Sequence, residues 1–114
     1  VNEQTEENIS VNEVGGRAYK LSRPFTYEDK EYKEIKFDFE KLTGDDIIAC
    51  ESEMYEVVGS SDVLTMMMKE THPGYQTVIA AKAASLHFRI IKAMPAKDFI
   101  RVTKMAQRFL LGME

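Results

Sequence analysis

The residues able to make or break a bond are few and scattered. Asp45, Asp46 and Glu51 crowd the point in IKFDFEKLTGDDIIACE, residues 35–51, where alternating apolar residues give way to helical spacing. Cys50 is the one thiol, and His72 and His87 are the two imidazoles. Neighbouring carboxylates could act as general acid and base or ligate a hard cation. The local pattern favours a structural role instead. Thr43 stands just before the helical spacing with Asp46 three residues on, which is a capping box, and early acids lie where the helix dipole favours negative charge. No His, Arg or second acidic cluster nearby converges on them.

The remaining reactive groups fare no better. Cys50 falls inside the expected helix beside Glu51 and Glu53, whose charge disfavours a thiolate, so an inert, half-buried thiol is expected. One Cys with two His is too poor a set for structural zinc, and no cofactor is expected. His87 reads as a packed or rim residue, and His72, beside Pro73, as a loop residue with nothing to pair with. The chain has no G-x-x-x-x-G-K-S/T loop, no G-x-G-x-x-G, no G-x-S-x-G elbow and no H-E-x-x-H. Nothing in the sequence calls for an enzyme.

Two surface features suggest binding. Lys97, Arg101, Lys104 and Arg108 recur at spacings of four, three and four, so they stack on one side of a helix. Such a stripe is a solvated face, a patch for an acidic protein or sister subunit, or a track for phosphates. The overall net charge of −4 and the lack of interleaved aromatics argue against nucleic acid. Met66, Met67 and Met68 are consecutive and point in three directions in any regular structure. At least one is therefore expected at the surface, either over a loose core or as a contact for another chain, since methionine adapts to varied apolar partners.

The elements that must hold these residues follow from periodicity. Tyr19 and Leu21, Phe25 and Tyr27, and Ile35, Phe37 and Phe39 alternate with polar residues, which predicts a hairpin over 18–39 with a turn at Glu28–Lys30. Pro24 belongs at an edge or bend. Helices are expected at about 44–58, 74–93 and 95–111, the last opened by Pro95 and closed by Gly112. The middle helix carries two apolar stripes: Tyr75, Ile79, Ala83, Leu86 and Ile90 form one, and Ala80, Ala84, Phe88 and Ile91 the other. The second predicts either an intrachain helix or a subunit contact, which makes Phe88 and Ile91 candidate partner-binding residues. The expected fold class is α+β, an N-terminal β-hairpin packed on a small bundle of about three helices.

Length and charge bound the rest. A chain of 114 residues fits one domain, expected over 17–114, after a flexible tail at 1–16 rich in Glu, Asn, Ser and Gly. Residues 1–72 hold 17 acidic and 8 basic side chains, and residues 73–114 hold 2 and 7. This polarity can steer a partner or favour head-to-tail self-association into a homo-oligomer. No apolar run is long enough to span a membrane, and VNEQTEENIS lacks the order of a signal peptide, so a cytosolic protein is expected.

The succession YKLSRPF, a charged turn, EIKFDFEKLTGDDI, the alanine-rich VIAAKAA and the closing DFIRVTKMAQRFLL resembles the tail assembly chaperones of long-tailed phages and prophages over roughly residues 18–111. The resemblance implies a non-enzymatic protein that coats the aggregation-prone tape measure protein, recruits tail tube protein subunits in the host cytoplasm and is absent from the mature virion. It also implies a short form, in a family whose longer form arises by frameshifting. No site residues carry over, so Met66, Met67, Met68, Phe88, Ile91, Lys97, Arg101, Lys104 and Arg108 are partner-binding candidates on surface chemistry alone. The competing reading is a small nucleic-acid-binding accessory protein using the basic face of the last helix.

Overall fold

A computed structural model of the chain describes residues 9–11, 17–58 and 69–113. Three antiparallel strands, β1 (Ile9–Val11), β2 (Arg17–Tyr27) and β3 (Lys30–Phe37), lie in the order β1-β2-β3. The β2–β3 register pairs Arg17 with Phe37 and Tyr19 with Ile35, which places the alternating apolar residues of both strands on one dry face. Between Lys20 and Phe25 the register shifts, and Pro24 sits in that irregular stretch, where a missing N–H does least harm. Past it, Phe25 stacks on Tyr32 with ring centroids 5.3 Å apart. The structure departs from the tail expected over 1–16 at Ile9–Val11, which pairs with Arg17–Tyr19; the rest of that segment lies outside the described residues.

The hairpin turns through Glu28 and Asp29, both left-handed, with φ of 50° and 68°. Two consecutive positive φ values match the twist of a two-residue hairpin, but residues with a Cβ adopt them reluctantly. Replacing Glu28-Asp29 by Asn-Gly is therefore expected to raise stability by about 0.5–1 kcal/mol, read as a higher melting temperature with an unchanged far-UV spectrum.

After β3 a single 3₁₀ turn, Phe39–Lys41, leads into α1 (Gly44–Val58). A second 3₁₀ turn, Lys69–Thr71, precedes α2 (Pro73–Ala84), and α3 (Phe88–Lys92) and α4 (Ala96–Leu110) complete the α+β fold. Helix α2 lies at the centre: Gly74 to Ala81 and Ala83 are all buried, with α1, α3, α4 and the sheet around it. A helix buried on nearly every side needs a shell of neighbours, and its polar Gln76 and Thr77 are satisfied by the Glu70 and Pro73 carbonyls. The sheet contributes Tyr19, Leu21, Ile35 and Phe37 to the core, and Phe39 links it to α4 by stacking between Phe37 and Phe109 at 6.1 and 5.4 Å.

The helix expected over 74–93 is broken in two. Ser85 is left-handed, with φ 57°, and the Leu86 N–H donates to the Ala81 carbonyl at 2.9 Å, the six-to-one bond of a Schellman stop. His87 then restarts the helix, its Nδ1 accepting the Arg89 N–H at 3.1 Å. The apolar spacing runs through the break without interruption, and no glycine marks it. His72 is corrected likewise: far from lacking a partner, its Nδ1 caps α2 by accepting the Gly74 N–H at 2.9 Å.

Candidate functional site

The acidic corner is a helix cap. Asp46 Oδ2 accepts the Thr43 N–H at 2.9 Å, and Thr43 Oγ1 accepts the Asp46 N–H at 3.4 Å, the reciprocal pair of a capping box. The Thr43 backbone N–H holds the Asp46 carboxyl below its usual value. The cap is accordingly intact at neutral pH and weakens as acid protonates this group. Asp45 is exposed on the outer side of α1, and Glu51 faces Lys69 at 3.8 Å, so the three acids do not converge.

Cys50 is fully buried, not half-buried, and lies against the Val78 carbonyl at 3.6 Å. Burial, with Glu53 adding repulsion, pushes its thiol up to about 12. A neutral thiol without solvent access is a poor nucleophile. In the native protein at pH 8, Cys50 is expected to react with an aromatic disulfide reagent at least about a hundredfold more slowly than after denaturation, because modification must wait for opening.

A groove of about 270 Å³ lies beside the α2–α3 break, lined by Glu53, Glu56, Lys82, Leu86, His87 and Phe88. Lys82 Nζ meets Glu53 at 3.2 Å, and this bond holds the lysine protonated by raising its pKa. The His87 ring lies tilted at 37° against Phe88, with centroids 4.4 Å apart, while its Nδ1 serves the cap. Glu53 and Lys82 thus neutralise one another, and His87 is held by the cap. Among the described residues, no three His, Cys, Asp or Glu side chains could share a metal ion, and no helix is long and apolar enough to cross a membrane.

The partner-binding candidates separate into three groups. Phe88 and Ile91 are 5% and 0% exposed, inside the core, and so are withdrawn from any contact surface. The second stripe of the middle helix is covered within the chain because the α2–α3 break folds Phe88 and Ile91 back among their neighbours. Met66, Met67 and Met68 lie outside the described residues. Lys97, Arg101, Lys104 and Arg108 are all exposed along α4, where they flank Ile100 and Leu111, exposed by 54% and 48%. Arg101 also reaches Tyr19 at the inner edge of the stripe.

Sequence reasoning missed Asp98, which is completely buried. Its carboxylate accepts the Tyr19 hydroxyl at 2.7 Å, the Ser22 N–H at 2.9 Å and the Ser22 hydroxyl at 2.8 Å, tying the first turn of α4 to β2. Burial, followed by this hydrogen bond to Asp98, pushes the Tyr19 phenol up to about 12. The clamp fixes the angle at which α4 leaves the sheet and so decides which way the basic stripe faces.

Among the described residues, the exposed cations of α4 and the buried Asp98 clamp beneath them are the features that the sheet and helices position together. A family model described as phage tail assembly chaperone proteins, E, or 41 or 14, matches residues 18–111, from the start of β2 to the end of α4. No curated protein and no solved structure matches the chain.

Proposed function

The chain belongs to the family of phage tail assembly chaperone proteins, and we propose on that premise that it binds the tape measure protein, keeps it soluble and recruits tail tube subunits to it. The observation that carries this reading is the extent of the family match, which takes in the hairpin, the central helix and the exposed face of α4 together. In this role the chain works without bond chemistry, in the host cytoplasm, and leaves before the tail is complete. Residues 17–114, with β1 paired onto their sheet, act as one folded unit. The contact surface is built from the Met66–Met68 run and from Lys97, Arg101, Lys104 and Arg108. Methionine supplies adaptable apolar contact, and the cations give orientation.

The test is dilution of denatured tape measure protein into buffer with and without the chain, followed by light scattering. Suppression of aggregation near stoichiometric ratio is expected, with substantial loss when Met66, Met67 and Met68 are replaced together by serine; equal scattering with and without the chain would refute the proposal. Pull-down of tube protein by the chain–tape measure complex, and not by either component alone, tests recruitment. The exposed cations of α4 also favour a second reading, nucleic-acid binding. That reading requires affinity for nonspecific duplex that falls steeply with salt, and absence of binding at low salt removes it.

A further inference from the structure

The outer side of α4 is built as a two-part surface. At 100° per residue, Ile100, Leu111, Lys104, Lys97, Arg108 and Arg101 follow one another within an arc of about 100°. Aliphatic residues form one edge, and four cations form the other. All six side chains are exposed. The helix's one acid, Asp98, is buried beside Tyr19, where Arg101 also reaches, so it leaves the charge of Lys97, Lys104 and Arg108 without an acid beside it on α4. No described carboxylate pairs with Lys97, Lys104 or Arg108. Leu111 is the C-cap of α4, three helical turns beyond Ile100, or about 17 Å at the ideal rise, and Lys97 to Arg108 span the same number of residues.

We infer that this face docks an acidic amphipathic helix from another protein, with aliphatic residues about eleven positions apart and carboxylates along the adjoining edge. The inference rests on the proposed function only for which protein supplies the segment; under that reading it is a segment of the tape measure protein or the tube subunit. A helix matches because it repeats apolar and acidic positions at the same pitch as α4 and can present both on one side. An extended strand alternates its side chains between two faces and would turn half of them away.

The one acidic helix among the described residues is a poor match. The exposed side of α1 offers Ile48 and Tyr55, seven residues and about 10 Å apart, which cannot fill both aliphatic positions together. It brings Asp45 and Glu56 against four cations, because Glu51 and Glu53 are engaged with Lys69 and Lys82. A foreign helix with a longer acidic edge suits the surface better than a second copy.

Fluorescence anisotropy of the full chain tests this with four probes: an 18-residue Leu/Glu peptide of the stated pattern, a scrambled peptide of the same composition, a Leu/Lys version and a nonspecific DNA duplex. The patterned acidic peptide is expected to bind about tenfold more tightly than the scrambled one. Lys97→Glu/Lys104→Glu/Arg108→Glu and Ile100→Ser/Leu111→Ser should each weaken it by at least about tenfold. These residues are exposed, and alanine replacements at the three cations provide a milder set if the glutamates perturb folding. Equal binding of the scrambled peptide, preference for duplex or the Leu/Lys peptide, or dissociation of a self-assembled species by the same variants would each overturn the inference. Peptide binding without suppression of tape measure aggregation overturns the proposed function and leaves this inference standing; suppression that survives all the α4 variants, with no peptide binding, does the reverse.

Discussion

Asp98→Ala is expected to lower the free energy of unfolding by about 3–5 kcal/mol, the largest loss from any single side chain outside the apolar core. The substitution removes one acceptor group and strands the buried Tyr19 donor, while the donors of the exposed Ser22 turn to water. The Tyr19 hydroxyl is left in a fully buried site, and the Ser22 N–H and hydroxyl lose their partner at the edge of the core. Asp98→Asn keeps one oxygen for Tyr19 and the Ser22 N–H, while its amide can donate to a reoriented Ser22 hydroxyl. A loss of about 1–2 kcal/mol is expected there, close to that for Tyr19→Phe. The double variant Asp98→Ala/Tyr19→Phe should be less destabilised than the sum of the singles, since the second change removes the donor that the first left stranded. Urea unfolding of the four variants checks this. Additive losses would mean that the carboxylate and phenol act separately.

Gly74→Ala is expected to destabilise by about 1–3 kcal/mol, although alanine is the better helix former. A Cβ at Gly74 would collide with Val58 Cγ1 and stand 3.1 Å from His72 Nδ1. Valine has little freedom to rotate away, so the start of α2 or the end of α1 must shift. The same site holds the α2 cap, because the Gly74 N–H donates to that imidazole. Val58→Ala opens the space. Gly74→Ala in that background should recover most of the loss, and a thermal melt of the cycle distinguishes this steric account from a simple helix-propensity effect. Stabilisation by Gly74→Ala alone would overturn it.

What could be read in advance follows from how local each signal is. The hairpin was legible because Tyr19, Leu21, Ile35 and Phe37 repeat at period two within single strands, and the Thr43–Asp46 cap because both partners lie within one turn. The basic stripe of α4 needed only the helical period, and all four residues are exposed. The α2–α3 break was hidden because Ser85 adopts a left-handed conformation more usual for glycine or asparagine, while the apolar spacing continues past it. Asp98 was missed for a different reason. A carboxylate in the first turn of a helix is ordinary, and its partners lie 76 and 79 residues away in sequence. Phe88 and Ile91 were misplaced because two apolar stripes on one helix imply two neighbours but do not say whether either neighbour belongs to another molecule. In the folded chain, both do not.

The enclosure of α2 divides the chain by its freedom to vary. The buried residues of α2 tolerate replacement only by residues of nearly their own shape, whereas Lys97, Ile100, Lys104 and Arg108 can be exchanged with little disturbance to the interior. Under the docking inferred for α4, a few changes on a single outer helix redirect specificity from one partner to another, while the frame that carries it stays fixed.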